Sequence, residues 1–237
     1  MKAMILAAGL GTRFRPWTDA HPKALAVING KSLLQRNIEY LQRAGIFDVV
    51  VNVHHFADQI EEAVRKSKGW GSEIIISDER DEVLETGGGL MKASRHLEDD
   101  SFVLMNVDIL TSLDLDAMIG FHRKLMPLAT LATSDRKTSR YFLFDHLDNL
   151  CGWRNDKTGE EKIMRTTGET RMKAFSGIHV IDPAFFSLVQ LKGKFSMVDA
   201  YLSLAKEEVI MSYDHSHSLF IDVGKPEAVA IAEKMFG

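Results

Sequence analysis

Lys2-Ala3-Met4-Ile5-Leu6-Ala7-Ala8-Gly9-Leu10-Gly11-Thr12-Arg13-Phe14-Arg15-Pro16 opens the chain with an apolar run that stops at two glycines. A short continuous run over 2–7 predicts a strand covered on both faces, as in a parallel sheet. The glycines behind it let backbone N–H groups approach phosphate oxygens. Arg13, and Lys23 after Pro22, add positive charge where phosphate charge gathers. The plainer reading is a tight turn with a solvated Arg13, because Gly-x-Gly alone is weak. Two phosphate motifs are excluded. A dinucleotide fingerprint needs glycine at position 14, which is Phe14, and a P-loop ending at Gly30-Lys31-Ser32 needs glycine at 25, which is Leu25.

Outward from this stretch, strands and helices alternate. Ser32 is placed to cap a helix carrying Leu33, Leu34, Ile38 and Leu41 at helical spacing, with Gly45 at its stop. Residues 48–53 and 74–76 read as strands and 57–67 as a helix. The glycine run 87–89 leads toward another helix, and 102–105 reads as a strand ending at Asn106-Val107-Asp108. The alternation predicts an α/β fold with a Rossmann-like, mixed and mostly parallel sheet flanked by helices. Gly9, the segment after Ile76 and Asp108 then share the rim beyond the strand ends, where such sheets bind ligands. In the second half, 129–134, 141–145, 150–154, 174–180 and 219–223 read as strands, and 199–206 and 226–236 as helices. Residues 155–171 read as a long polar hairpin connection or mobile loop. The expected organisation is one domain over 1–237.

The formal charge of −4 argues against broad nucleic-acid binding. No apolar run is long enough to span a bilayer, and residues 1–8 read as a buried strand instead of a signal peptide. The single cysteine, Cys151, cannot form an internal disulfide and suits a reducing compartment, so a cytoplasmic location is expected. His54-His55, His215 and His217 lack the Cys or Glu-x-x-His partners of a zinc site.

Further motifs follow in order: Glu85-Thr86-Gly87-Gly88-Gly89, Asn106-Val107-Asp108, Phe175-Ser176-Gly177-Ile178 and Phe220-Ile221-Asp222-Val223-Gly224. Together with Ala7-Ala8-Gly9, Gly11-Thr12-Arg13, Pro16 and Pro22-Lys23, they resemble the signature of the nucleoside-diphosphate-sugar pyrophosphorylases, or sugar-1-phosphate nucleotidyltransferases. The resemblance spans nearly the whole chain. It is nearest to the short bacterial type that includes N-acetylmuramate-1-phosphate uridylyltransferases and mannose- or heptose-1-phosphate guanylyltransferases. Val107 replaces the family's glycine, Phe220 stands where Trp is common, and Arg140-Tyr141-Phe142 occupies a region where many relatives carry a glycine.

The resemblance implies a nucleoside triphosphate and a sugar 1-phosphate as substrates, with Mg²⁺ on Asp108 and Asp222. It implies Arg13 and Lys23 at the phosphates, and Ala8, Gly9, Gly11, Thr12, Glu85, Gly88 and Asn106 along the nucleotide. Arg140, Ser176 and Gly177 then face the sugar. The nucleotide half covers about 1–110 and the sugar half about 111–237. No nucleic-acid or membrane partner is implied, and the chain is read as a monomer or homodimer. UTP with N-acetylmuramate 1-phosphate is the preferred pair, ahead of GTP with mannose or heptose 1-phosphate. Plainer readings stand beside these. Asp108 caps a turn, Asp222 makes a surface ion pair, Glu85 caps or faces solvent, and 87–89 is a flexible turn. A catalytically dead sugar-nucleotide sensor, a cytidylyltransferase on a non-sugar phosphate and an NAD-dependent oxidoreductase are the competing classes, the last disfavoured by Phe14.

Overall fold

The computed structural model describes residues 1–166 and 168–237; Thr167, inside the polar connection, lies outside the described residues. Strand β1 (Ala3–Leu6) is buried throughout. Its side chains alternate between two cores: Ala3 and Ile5 enter one, Met4 and Leu6 the other. This is why the run is apolar without a gap. A small hairpin, β2 (Val27–Ile28) and β3 (Lys31–Ser32), leads to α1 (Leu33–Arg43). Ser32 Oγ accepts from the Gln35 N–H at 3.1 Å, and Gly45 adopts φ +69° just past the helix end. Next come β4 (Asp48–Val53), α2 (Ala57–Lys66), β5 (Glu73–Asp78), α3 (Glu85–Ala93) and β6 (Phe102–Asn106). β1 pairs in parallel with both β4 and β6, and β4 with β5.

The glycine run corrects the sequence reading. Gly87, Gly88 and Gly89 lie inside α3 and do not precede it.

The second half continues with β7 (Ile109–Thr111), α4 (Leu115–Leu125), β8 (Ala129–Ser134), β9 (Arg140–Phe144), β10 (Leu150–Asn155) and β11 (Glu160–Ile163). The long β12 (Arg171–Ile181), α5 (Phe185–Leu188), α6 (Met197–Leu204), β13 (Ile210–Asp214), β14 (Phe220–Asp222) and α7 (Glu227–Met235) complete it. The connection expected over 155–171 contains β11, which pairs antiparallel with β10 and is exposed at every position.

Among the described residues a ten-stranded mixed sheet runs through both halves. β12 is its seam, pairing antiparallel with β6, β8 and β9. Side chains of α1, α2, α4 and α7 pack on one face, and those of α3, α5 and α6 on the other. Each fully buried Leu or Ile in these layers contributes roughly 1.5–3 kcal/mol.

Candidate active site

The C-terminal ends of β1, β4, β5 and β6 open onto a cavity of about 440 Å³. Ala8, Gly9, Gly11, Thr12, Arg13, Lys23, Glu85, Asn106 and Asp108 all line it. The loop after β1 is shaped by Gly11, whose φ of +61° suits a residue without Cβ. A Cβ there would lie 2.8 Å from Thr18 Cγ2. The Gly11 carbonyl accepts from the Phe14 N–H at 2.8 Å and from Thr18 Oγ1 at 2.9 Å. Buried Phe14 anchors this turn in the core while Thr12 and Arg13 remain exposed.

Asp108 and Asp222 are brought side by side by a two-stranded ladder. β14 pairs antiparallel with β7, with Asp222 opposite Ile109, and the Val223 N–H donates to the Asp108 carbonyl at 2.8 Å. Lys23 Nζ donates to Asp108 Oδ2. Arg13 and Asp222 both flank Gly224: a Cβ on Gly224 would lie 2.7 Å from Asp222 Oδ1 and 3.1 Å from Arg13 Nη2. Crowding by the chain and then the Asp108 charge push the Asp222 carboxyl up, while Lys23, Arg13 and Arg136 pull it down. Two neighbouring carboxylates whose like charges repel are hard-oxygen donors of the kind that could hold a divalent cation such as Mg²⁺. Among the described residues no group of three or more His, Cys, Asp or Glu side chains could hold a metal by itself.

Asn106 ends β6, and Gly177 abuts its side chain. Gly177 has φ +72°, and a Cβ on it would lie 2.7 Å from Asn106 Nδ2. It sits where β12 slips register against β8, between Phe175 and His179. Val107, between Asn106 and Asp108, turns into the core. Its carbonyl accepts from Asn37 Nδ2 at 2.7 Å. Glu85 begins α3 with φ +60° and lies 3.9 Å from Lys194.

Gly88, Ser176 and Arg140, like Asp222 and Gly177, are not part of the cavity lining. Gly88 is buried under protein: a Cβ on it would lie 2.2 Å from the Gly193 carbonyl oxygen, and its N–H donates to the Phe195 carbonyl. The resemblance implies Gly88 along the nucleotide; the face of Gly88 where a Cβ would stand is filled by the 193–195 segment. Ser176 is buried, its Oγ 2.7 Å from His215 Nε2. Arg140 is exposed, opposite Asn155 in the β9–β10 ladder and off the cavity lining.

Asn52 and Glu79, the latter on the rim after Ile76, also line the cavity without a sequence motif to mark them. Glu79 follows β5 and is 1% exposed. Its Oε1 accepts from Asn52 Nδ2 at 2.7 Å, and Asn52 Oδ1 accepts from the Ala7 N–H at 2.7 Å. This relay ties the glycine loop to β4 and β5. Burial pushes the Glu79 carboxyl up against the pull of Asn52 and the Leu84 backbone.

The chain as a whole has relatives among known proteins. The nucleotidyl transferase family profile matches residues 2–144. The chain belongs to the nucleotidyl transferase family. It is 31% identical to the N-acetylmuramate alpha-1-phosphate uridylyltransferase of Caulobacter vibrioides, over 98% of this chain and 95% of that protein. It is 30% identical to the mannose-1-phosphate guanyltransferase of Yarrowia lipolytica, over 96% of this chain but only 61% of the other. The crystal structure of HddC from Yersinia pseudotuberculosis complexed with GMP-PN superposes with a TM-score of 0.80 at 24% identity, covering 100% of this chain and 99% of that one. That likeness supports the nucleotidyltransferase fold, a mixed sheet flanked by helices. No helix among the described residues is long and apolar enough to cross a membrane.

Proposed function

We propose that this nucleotidyltransferase joins a nucleoside triphosphate to a sugar 1-phosphate, forming an NDP-sugar and pyrophosphate, with UTP and N-acetylmuramate 1-phosphate as its preferred pair. The observation that carries the reaction class is the convergence of Gly11, Arg13, Lys23 and Asp108 on one cavity, with Asp222 beside Asp108. The continuous sheet supports one domain, with the nucleotide over about 1–110 and the sugar over about 111–237. A sugar-phosphate oxygen attacks the α-phosphorus in line, and the bond from that phosphorus to the pyrophosphate oxygen breaks. The nucleophile is already anionic, so no protein base is needed, and the chain's work is positioning and charge neutralisation.

Arg13 holds the leaving pyrophosphate. Lys23, which Asp108 keeps at the cavity wall, contacts the α-phosphate or the sugar phosphate. The glycine loop with Ala8 and Thr12 lies along the nucleotide, beside Asn106. Asp108 and Asp222 would hold Mg²⁺, which supplies charge neutralisation at the reacting phosphates when bound. A cytoplasmic location and a monomer or homodimer go with this reading.

Similarity over nearly the full length of the Caulobacter uridylyltransferase supports the uracil and N-acetylmuramate choice. A second reading, GTP with mannose or heptose 1-phosphate, is favoured by Glu79: a buried carboxylate oxygen suits the paired N–H donors of guanine. A matrix of UTP, GTP, CTP and dTTP against sugar 1-phosphates, read by pyrophosphate release, tests both. A kcat/KM for GTP with mannose 1-phosphate above that for UTP with N-acetylmuramate 1-phosphate selects the second reading. Absence of pyrophosphate release from every pair sinks the reaction class.

A further inference from the structure

Among the described residues, buried side-chain polar atoms without a hydrogen-bond partner include Glu79 Oε2, Ser134 Oγ, Arg136 Nε and His215 Nδ1. Glu79 belongs to the nucleotide cavity. The other three gather at the end of β8. Ser134 is its last residue and Arg136 lies two further on. The His215 N–H donates to the Thr133 carbonyl at 2.9 Å. One aromatic ring joins the cluster: Phe220 lies 4.9 Å from the Arg136 guanidinium carbon and 5.7 Å, centroid to centroid, from His215. Arg136 Nη2 donates to the Phe175 carbonyl, and Ser176 Oγ meets His215 Nε2, so both anchors come from the bulged stretch of β12. Ser134 and His215 are 6% and 4% exposed.

Folded proteins leave few buried polar atoms unpaired, and a concentration of them asks for an explanation. The cluster's place supplies one. Phe220 and Asp222 are two apart on β14 and share a face, and the Asp222 charge acts on Arg136. The cluster therefore lies along β14 from the Asp108–Asp222 pair. The Arg13 charge, on the glycine loop, also acts on Asp222. The chemistry fits a sugar. Arg136 Nε–H is an obligatory donor, because a guanidinium keeps its proton. Ser134 Oγ both donates and accepts. Burial pushes His215 down, toward the neutral ring that has one donor and one acceptor.

We propose that Ser134, Arg136 and His215 form the sugar-recognition subsite, in which Arg136 Nε–H binds an acceptor oxygen of the sugar 1-phosphate. This rests on the reaction class proposed above. The oxygen belongs either to a ring hydroxyl or to an acidic substituent such as the lactyl carboxylate of N-acetylmuramate.

The test is steady-state kinetics on Arg136→Lys, Arg136→Gln and Ser134→Ala beside the wild type, with KM for each substrate and Tm measured separately. Both Arg136 variants are expected to raise KM for the sugar phosphate tenfold or more and to leave KM for the nucleoside triphosphate within twofold. Ser134→Ala, the variant least able to disturb folding, is expected to raise the sugar KM about threefold. N-acetylglucosamine 1-phosphate, which lacks the lactyl group, separates the sources. A penalty confined to N-acetylmuramate 1-phosphate assigns the carboxylate, and an equal penalty on both sugars assigns a ring hydroxyl. Unchanged sugar KM in Arg136→Gln and Ser134→Ala overturns the subsite, as does an equal rise in nucleotide KM. If the wild type uses neither sugar, the substrate choice falls, and the subsite is judged on the sugar phosphate that the matrix selects.

Discussion

The two halves of the sheet spend their buried polar side chains differently. In the parallel half, Asn52 holds the Ala7 N–H and Asn37 holds the Leu33 and Val107 carbonyls. Side chains there mainly fix backbone, with the Asn52–Glu79 pair the exception, and the backbone loop after β1 faces the cavity. In the second half, mostly antiparallel although β13 runs parallel to β8, side chains pair with one another: His122 with Thr130, Thr133 with Ser212, His179 with Tyr201 and Ser176 with His215. A wall built from side-chain pairs can be retuned one residue at a time, whereas a loop held by its backbone cannot. On this comparison, the backbone-held loop suits the phosphates of the proposed reaction, and the side-chain pairs suit the proposed sugar subsite.

The largest expected effect is at the junction of the halves. Asp108→Asn or Asp222→Asn should lower kcat/KM on the order of a hundredfold or more, comparable to losing a main electrostatic stabiliser. Excess EDTA should abolish turnover. Near-normal rates in both variants, or full activity in EDTA, would dissolve the metal pair and with it the idea of a shared junction.

Gly88→Ala asks whether the glycine run serves the nucleotide or the packing. The added Cβ would meet the Gly193 carbonyl oxygen at 2.2 Å and Leu84 Cβ at 3.0 Å. Overpacking of this kind costs about 1–3 kcal/mol, visible as a lowered Tm with KM for the nucleotide nearly unchanged. A raised nucleotide KM at unaltered Tm would instead return Gly88 to the ligand.

The side-chain wall should also carry an acid signature. Burial drives His179 down to about 3. An unfolded His takes up its proton near pH 6.5, so the unfolded state binds protons first. Stability that is full above that value is lost as pH falls toward 3. Thermal melts of the wild type at pH 7 and pH 5 should therefore diverge, and His179→Gln should narrow the gap, each pH unit in this window being worth at most about 1.4 kcal/mol. An equal gap in both proteins means the acid sensitivity lies elsewhere. The smallest effect is expected from Arg140→Ala, whose side chain is exposed on β9. Sugar-phosphate KM should stay within twofold, and a tenfold rise would place Arg140 in the sugar wall after all.

The parallel half was legible because each strand is a clean apolar run closed by a turn. Ser32, Gly45 and the ends of β1 and β6 mark their own boundaries, and Gly11, Arg13, Lys23 and Asp108 stand in motifs at those ends and line the cavity. The antiparallel half hid more. The stripe of α4, with Leu115, Met118 and Ile119, ends on His122, a residue that reads as polar until Thr130 is seen beside it. β13 carries buried Ser212 and partly exposed Tyr213, so neither alternation nor an apolar run marks it. Three consecutive glycines disfavour a helix intrinsically, and only the close approach of the 193–195 segment explains α3. Arg136 gave no local sign, since its partners Phe175, Phe220 and Asp222 are distant in sequence.

The seam strand has a consequence for synthesis. β1, the partner of β6 on one side, precedes it in the chain, but β12, the other partner of β6, pairs through Ile178 and Val180 and is made much later. While the intervening chain is translated, β6 presents an open row of N–H and C=O groups, a template for any passing strand. A nascent or truncated chain that stops before β12 is therefore sticky along that edge, and its safe passage depends on how quickly the ribosome delivers the closing strand.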